Sequence, residues 1–223
     1  MRATDTQRVI ICLLYTGRIA VPKVDLMFVV NAQASNSLAY MKDVIIGVMQ
    51  NYSTNLIHYA VVMYGDEPSV VLRFSDGVTD SDQLASIVRS APSVPGDSAL
   101  DKALQKANYL FNEDEAVRPD ARKILVVITD DKSSGDKEAA KGIANDLKDK
   151  LVTIITVAVG SDADREELEG LTETKSDSLN ATRDENPGET GKEIIETIVK
   201  GMLELLLLLF FLLSYNCVLA FSV

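Results

Sequence analysis

Tryptophan is absent from the 223 residues, and histidine occurs once, as His58. A lone imidazole cannot supply a multi-histidine zinc site, and it leaves any serine or cysteine nucleophile a single base to draw on. Cysteine is nearly as scarce. Cys12 and Cys217 lie near opposite ends in apolar segments, so neither a disulfide framework nor a thiolate cluster is available. Positive charge is also short: 22 Lys and Arg face 33 Asp and Glu, a net charge of -11, and such a chain is repelled by phosphate backbones. Nucleic acid is therefore excluded as a partner. The glycine motifs G-x-G-x-x-G and G-x-x-x-x-G-K-[ST] are missing too, which removes the two common phosphate-cradling loops and with them a nucleotide ligand. What remains is an ordinary globular composition, 47% hydrophobic and 25% charged, with enough chain for one full-sized domain.

The two ends differ from the middle. From Leu205 to Val223 the sequence LLLLLFFLLSYNCVLAFSV carries no charge, and at about 1.5 Å rise per residue it matches the roughly 30 Å hydrocarbon layer of a bilayer. Residues 203–223 are expected to be a membrane segment or the signal for a processed glycolipid anchor, with Thr190 and Gly191 as the small residues such processing would use. Arg2 and Arg8 precede the apolar run Val9 to Tyr15, so residues 1–22 read as an extension or a weak secretory signal. Two sequons, at Asn51 and Asn180, are glycosylation candidates.

Residues 23–202 form the domain proper. Val24–Val30, Ile57–Tyr64, Ile124–Thr129 and Val152–Val159 are short, β-branched and almost continuously apolar, the pattern of strands buried on both faces of a parallel sheet. Helical spacing lies between them: Leu38, Met41, Ile45 and Val48; Leu100, Leu104, Ala107 and Leu110; Ala140, Ile143, Ala144 and Leu147; and finally Ile194, Ile198 and Met202. Val70–Phe74 follows the second strand after a connection too short for a crossover, so it is expected to pair antiparallel at an edge. The predicted fold is α/β: a doubly wound, mostly parallel sheet with one antiparallel edge strand and helices on both faces. In that architecture ligands bind beyond the carboxyl ends of the strands, at the switch point, which directs attention to the residues after Val30 and Thr129.

There the sequence reads Asp25 to Ser35, DLMFVVNAQAS, and this resembles the opening of the von Willebrand factor type A domain, in which an apolar strand runs into D-x-S-x-S. Further segments match that family in order: Tyr40 to Asp43, Tyr59 to Asp66, Arg73 to Ser75, Ala99 to Ala107, Lys123 to Asp130 and Val157 to Gly160. The resemblance spans about Val24 to Met202 and is nearest in character to collagen-like and matrilin-like extracellular members. It implies a non-enzymatic, protein-binding adhesion module and a metal-ion-dependent adhesion site (MIDAS), where a hard divalent cation such as Mg²⁺ sits among oxygens and a partner's carboxylate completes its shell.

Measured against the D-x-S-x-S pattern, the site is degenerate. Asn31 stands at the Asp position, Gln33 at the first Ser, and Ser35 is retained; Asp97 falls at or beside the family's Thr, with Ser98 as the alternative, and Asp130 matches the last acid. Ser35, Asp97 and Asp130 are the metal-ligand candidates the resemblance leaves. Each also has a structural reading, as helix caps for Ser35, Asn36, Asp97 and Ser98 and as a turn residue for Asp130. The acidic cluster Asp162 to Glu169 reads as a solvated face, and His58 as a strand residue rather than a ligand. An aspartate-based hydrolase on a similar sheet would need an acid after the first strand, where Asn31 stands. The expected function is adhesion to matrix, a collagen-like ligand or another protein, from a membrane-attached domain on the extracellular side; a tail-anchored scaffold facing the cytosol is the alternative, for which the lack of disulfides and the flanking Lys192 and Lys200 argue.

Overall fold

The computed structural model describes residues 23–33, 35–51 and 56–202. The expected segments at 1–22 and 203–223 lie outside them, as do Tyr52 and Ser53 of the first sequon. The chain divides into two units, residues 22–194 and residues 1–21 with 195–223. Of the second unit only residues 195–202 are described, and they are helical. Among the described residues no helix is long and apolar enough to cross a membrane.

In the larger unit the elements follow in the order β1 (Val24–Asn31), α1 (Leu38–Asn51), β2 (Ile57–Tyr64), β3 (Pro68–Leu72), α2 (Ser81–Ser90), α3 (Leu100–Glu113), β4 (Arg122–Thr129), α4 (Lys137–Asp149), β5 (Val152–Val159), α5 (Arg165–Leu171) and β6 (Ser178–Ala181). Residues 187–194, at the end of the unit, are helical as well. The strands form one six-stranded sheet in the order β3-β2-β1-β4-β5-β6. All neighbours are parallel except β3, which runs antiparallel to β2 at the edge. This is the doubly wound arrangement expected, with β1 and β4 flanking the switch point.

Why β1 occupies the centre follows from its side chains: all eight of its residues are buried, and only a strand covered on both faces tolerates such a run. Met27 and Val29 point into one layer, with Leu100, Leu104, Ala107 and Phe111 of α3 and Ala140, Ala144 and Leu147 of α4. On the apolar face of α3 the buried positions recur every three or four residues, the helical period. On the other side Tyr40 of α1 shares a 2.7 Å hydrogen bond with Thr190. Three of the helices start on aspartate caps. Asp80 accepts from the amide of Gln83, Asp136 from Glu138 and Ala139, and Asp164 from Glu167, each occupying an amide that the first helical turn leaves free.

The structure moves or adds elements where the apolar pattern is thin. The edge strand ends at Leu72, and Phe74 opens a single 3₁₀ turn instead. The helix after β4 begins at Lys137, on the cap Asp136. Asp162 to Glu169 is more than a solvated face: most of it belongs to α5 and its cap, and Leu168 within it is buried.

Candidate functional site

Three loops converge beyond the carboxyl ends of β1 and β4: residues 32–33 with 35–37, residues 94–99 and the segment after Thr129. The second is laid directly over the end of β2. The amide of Asp66 donates to the carbonyl of Pro95 at 3.2 Å, the amide of Asp97 donates to Asp66 Oδ1 at 2.6 Å, and the amide of Ala99 donates to the carbonyl of Gly65 at 3.0 Å. Two glycines make this approach feasible. A Cβ on Gly65 would lie 2.4 Å from the carbonyl oxygen of Pro95, and Gly96 adopts φ +94°, which side-chain-bearing residues rarely do. The amide of Val94 also donates to the carbonyl of Ala32 at 2.7 Å, tying this loop to the first.

Asn31 is the hub. It is fully buried at the end of β1. Its Oδ1 accepts the Gln33 amide at 3.2 Å, while its Nδ2 faces the hydroxyls of Ser98 at 3.5 Å and Thr129 at 3.4 Å. The orientation of the side-chain amide follows from its neighbours: a backbone N–H requires an acceptor opposite it, so the oxygen faces Gln33 and the NH₂ faces the hydroxyls. Gln33 turns away from this centre and donates from Nε2 to the carbonyl of Gly96 at 2.6 Å. Ser35 accepts the Ser37 amide on Oγ at 3.3 Å, a turn bond ahead of α1 rather than a cap on one of its amides, since the helix starts only at Leu38.

Of the two residues weighed in the 94–99 loop, the structure brings Ser98 to Asn31. Ser98 is buried, whereas Asp97 is exposed. Neither caps α3: its N-cap is Ala99, with no side-chain hydrogen bond. Instead the carbonyl of Ser98 takes the Ser134 amide at 2.8 Å and the Ser133 hydroxyl at 3.2 Å, which fastens the third loop to the second. Asp130 is half-buried immediately after Thr129 and is the one charged residue among Asn31, Gln33, Ser35, Ser98, Thr129 and Asp130.

Thr129 is the member of this group that sequence reasoning passed over. The signal was available, since it ends the strand next to β1 and so must lie beside Asn31. Tyr64 was also missed. Its hydroxyl is buried near Ser98 and Thr129, yet it makes no hydrogen bond of good geometry with either. Burial pushes the phenol up to about 12 from its ordinary 10.0; the neighbouring hydroxyls act in the opposite sense, and the charges of Glu167 and Asp130 add to the rise.

The remaining sequence candidates lie elsewhere. His58 sits at the opposite end of the sheet, its Nδ1 4.0 Å from Asp25 Oδ1, so no imidazole reaches Asn31. Asn51 is exposed at the end of α1, where its side chain donates to the carbonyl of Gly47, and Asn180 is exposed on the edge strand β6.

Residues 25–197 match the von Willebrand factor type A domain. The human collagen alpha-1(XXI) chain is 30% identical over 154 residues, 66% of this chain and 15% of that one. The human collagen alpha-5(VI) chain is 27% identical over 125 residues, 55% of this chain and 5% of that one. The chain thus spans a small fraction of the length of these relatives. Among solved structures, proximal thread matrix protein 1 from the mussel byssus superposes with a TM-score of 0.69 at 15% identity, covering 80% of this chain and 48% of that one; another structure of that protein has a zinc-occupied MIDAS motif. The manganese-loaded TRAP protein of Plasmodium vivax gives a TM-score of 0.64 at 19% identity, covering 78% and 74%. With the sheet order, the converging loops and the match over 25–197 taken together, the chain belongs to the von Willebrand factor type A domain family.

Proposed function

We propose that this chain is a non-enzymatic protein-binding module of adhesion type, acting on matrix or a collagen-like protein, and that its site at the β1 and β4 ends works without a metal ion. The observation that carries the second half is the arrangement at Asn31. A hard cation requires oxygens directed at it. Here the hub presents an NH₂ group to Ser98 and Thr129, its own oxygen is taken by the Gln33 amide, and Gln33 is bound to Gly96. Ser35 is engaged with the Ser37 amide, and of Asn31, Gln33, Ser35, Ser98, Thr129 and Asp130 only the last carries charge. These residues do not fit Mg²⁺, and the network they form instead closes on itself.

The adhesion reading is supported by the kinds of proteins the chain is similar to, which include collagen chains and a byssal matrix protein. The site also has no acid at position 31, where an aspartate-based hydrolase on such a sheet would need its nucleophile, and no imidazole near it, which favours the binding module. The proposed location is the extracellular side of a membrane, held through residues 203–223, and the exposed Asn51 and Asn180 would then be open to glycosylation. The direct test is binding of the full chain to immobilised fibrillar collagen, with Mg²⁺ and then with excess chelator. Equal binding in both is expected; binding that disappears with chelator would overturn the metal-independent site, and glycan-free Asn51 and Asn180 in the native protein, together with protease sensitivity only after permeabilisation, would overturn the extracellular placement.

A further inference from the structure

Between α4 and α5 the surface opens into a cleft of about 580 Å³. None of Asn31, Gln33, Ser35, Ser98 or Asp130 lines it. Five carboxylates and three lysines border it, which leaves it net acidic. Acidic borders are common on a chain of this charge and carry nothing alone. The informative group is Glu167. Its side chain is only 6% exposed, it lines the cleft, and its Oε1 has no hydrogen-bond partner. A buried carboxylate oxygen without a donor is costly and calls for an explanation.

The other oxygen shows what chemistry the cleft accepts. Glu167 Oε2 pairs with Lys137 Nζ at 3.3 Å, and the same ammonium sits 2.5 Å from Asp164 Oδ2. Lys137 is itself 48% exposed, a long flexible side chain bridging the two carboxylates. The cleft therefore already holds a cation, and holds it incompletely. An ammonium is a compact charge; a guanidinium offers parallel N–H groups in a plane and satisfies both oxygens of one carboxylate together.

We propose that this cleft is a docking site for an arginine side chain presented by a protein partner, with Glu167 taking the guanidinium through both oxygens and Lys137 as the intramolecular cation that it displaces. Asp164 and the exposed Glu166 provide the surrounding negative charge. The site thus amounts to an exchange of one ion pair for a better-matched one, and it predicts opposite effects for two substitutions on facing helices.

The experiment is amide NMR on the full chain, titrated with a short Gly-Arg-Gly peptide and with the same peptide carrying citrulline, which keeps the shape and removes the charge. The arginine peptide should shift the amides of residues 137–141 and 164–171, and the citrulline peptide should not. Glu167→Gln should weaken binding by about tenfold, as expected for loss of a charge-assisted pair. Lys137→Met should strengthen it several-fold by removing the competitor. Shifts that survive Glu167→Gln, weakening by Lys137→Met, or no shifts in any of the three chains would overturn the proposal. So would selective broadening of the same amides by Mn²⁺, which would make the ligand a metal ion instead of a basic side chain.

Discussion

At the amino end of β1 a buried carboxylate is fully met, while at the carboxyl end of the same strand the charge is gone. Asp25 is inaccessible, and it accepts the Arg118 backbone amide at 2.7 Å and Arg118 Nε at 2.8 Å. The guanidinium continues to the carbonyls of Val24 and Leu56, at 2.7 and 3.0 Å. Six positions along, Asn31 is equally buried but neutral, and its Nδ2 contacts are long, 3.4 and 3.5 Å. A buried ion is tolerated when its remaining lone pairs are occupied by donors. Asp25 has that shell built from protein; an acid at position 31 would need it from a cation. The substitution to Asn at the carboxyl end thus removes a charge that the protein alone would have had to satisfy.

The comparison is broken most severely at the clamp. Arg118→Met should strand Asp25 in the core and cost about 3–5 kcal/mol, the usual penalty for removing one partner of a buried pair. Urea unfolding should show the drop as a lower midpoint. Adding Asp25→Asn to that variant should recover part of it, and a loss below about 1 kcal/mol in the single variant would mean that the clamp is not needed to hold the charge.

At the other end the expected sign is reversed, because charge is to be added. Asn31→Asp with Gln33→Ser should create a chain that Mg²⁺ or Mn²⁺ stabilises, by about 2.7 kcal/mol at a hundredfold excess over Kd. The unaltered chain should change its melting temperature by less than about 1 °C between chelator and millimolar metal, since a hard cation tolerates poor oxygen geometry badly. A clear shift in the unaltered chain would show that Ser35, Ser98 and Asp130 suffice.

How much of this could be read in advance differs along the chain. The four central strands are legible because burial on both faces forces an uninterrupted apolar run, and α3 because its apolar face keeps its period through Phe111. β6 is four residues, SLNA, of which one is fully buried, and α5 is seven residues with three glutamates; neither offers enough apolar repetition to declare itself. At the site, the identity of residue 31 is plain in the sequence, but the choice between Asp97 and Ser98 depends on the left-handed turn at Gly96, which swings the first outward and the second in. That Gln33 binds Gly96 depends on the same turn. The Asp25–Arg118 clamp joins residues 93 apart, a separation no local pattern bridges.

Tyr64 offers an intermediate effect that is specific to alkaline pH. Its pKa is raised in the fold to about 12 from 10.0, so above pH 10 the unfolded chain releases this proton while the folded chain retains it. Stability is then fully present below pH 10 and is lost as pH climbs through the folded value, by on the order of 2 kcal/mol from this group. Tyr64→Phe should flatten that part of the pH profile relative to the unaltered chain. At neutral pH it should cost little, because the hydroxyl it deletes makes no well-formed bond. An unchanged alkaline profile would place the phenol in contact with solvent.

The smallest effect separates the two residues of the 94–99 loop. Ser98 is buried with its hydroxyl against Asn31, so Ser98→Ala deletes a weak acceptor and should cost about 0.5–1.5 kcal/mol. Asp97 is exposed, and the Asp66 bond uses its backbone amide rather than its side chain; Asp97→Ala should therefore stay within about 0.5 kcal/mol. The difference is sharpened in the chain carrying Asn31→Asp and Gln33→Ser. If Ser98 is the hydroxyl that would face a cation, Ser98→Ala should abolish the metal-dependent rise in melting temperature there, and Asp97→Ala should leave it intact. The reverse result would mean that the loop can flip about Gly96 to bring the carboxylate inward. The contrast between the two ends of β1 would then rest on a loop with two positions, and not on the residue at 31 alone.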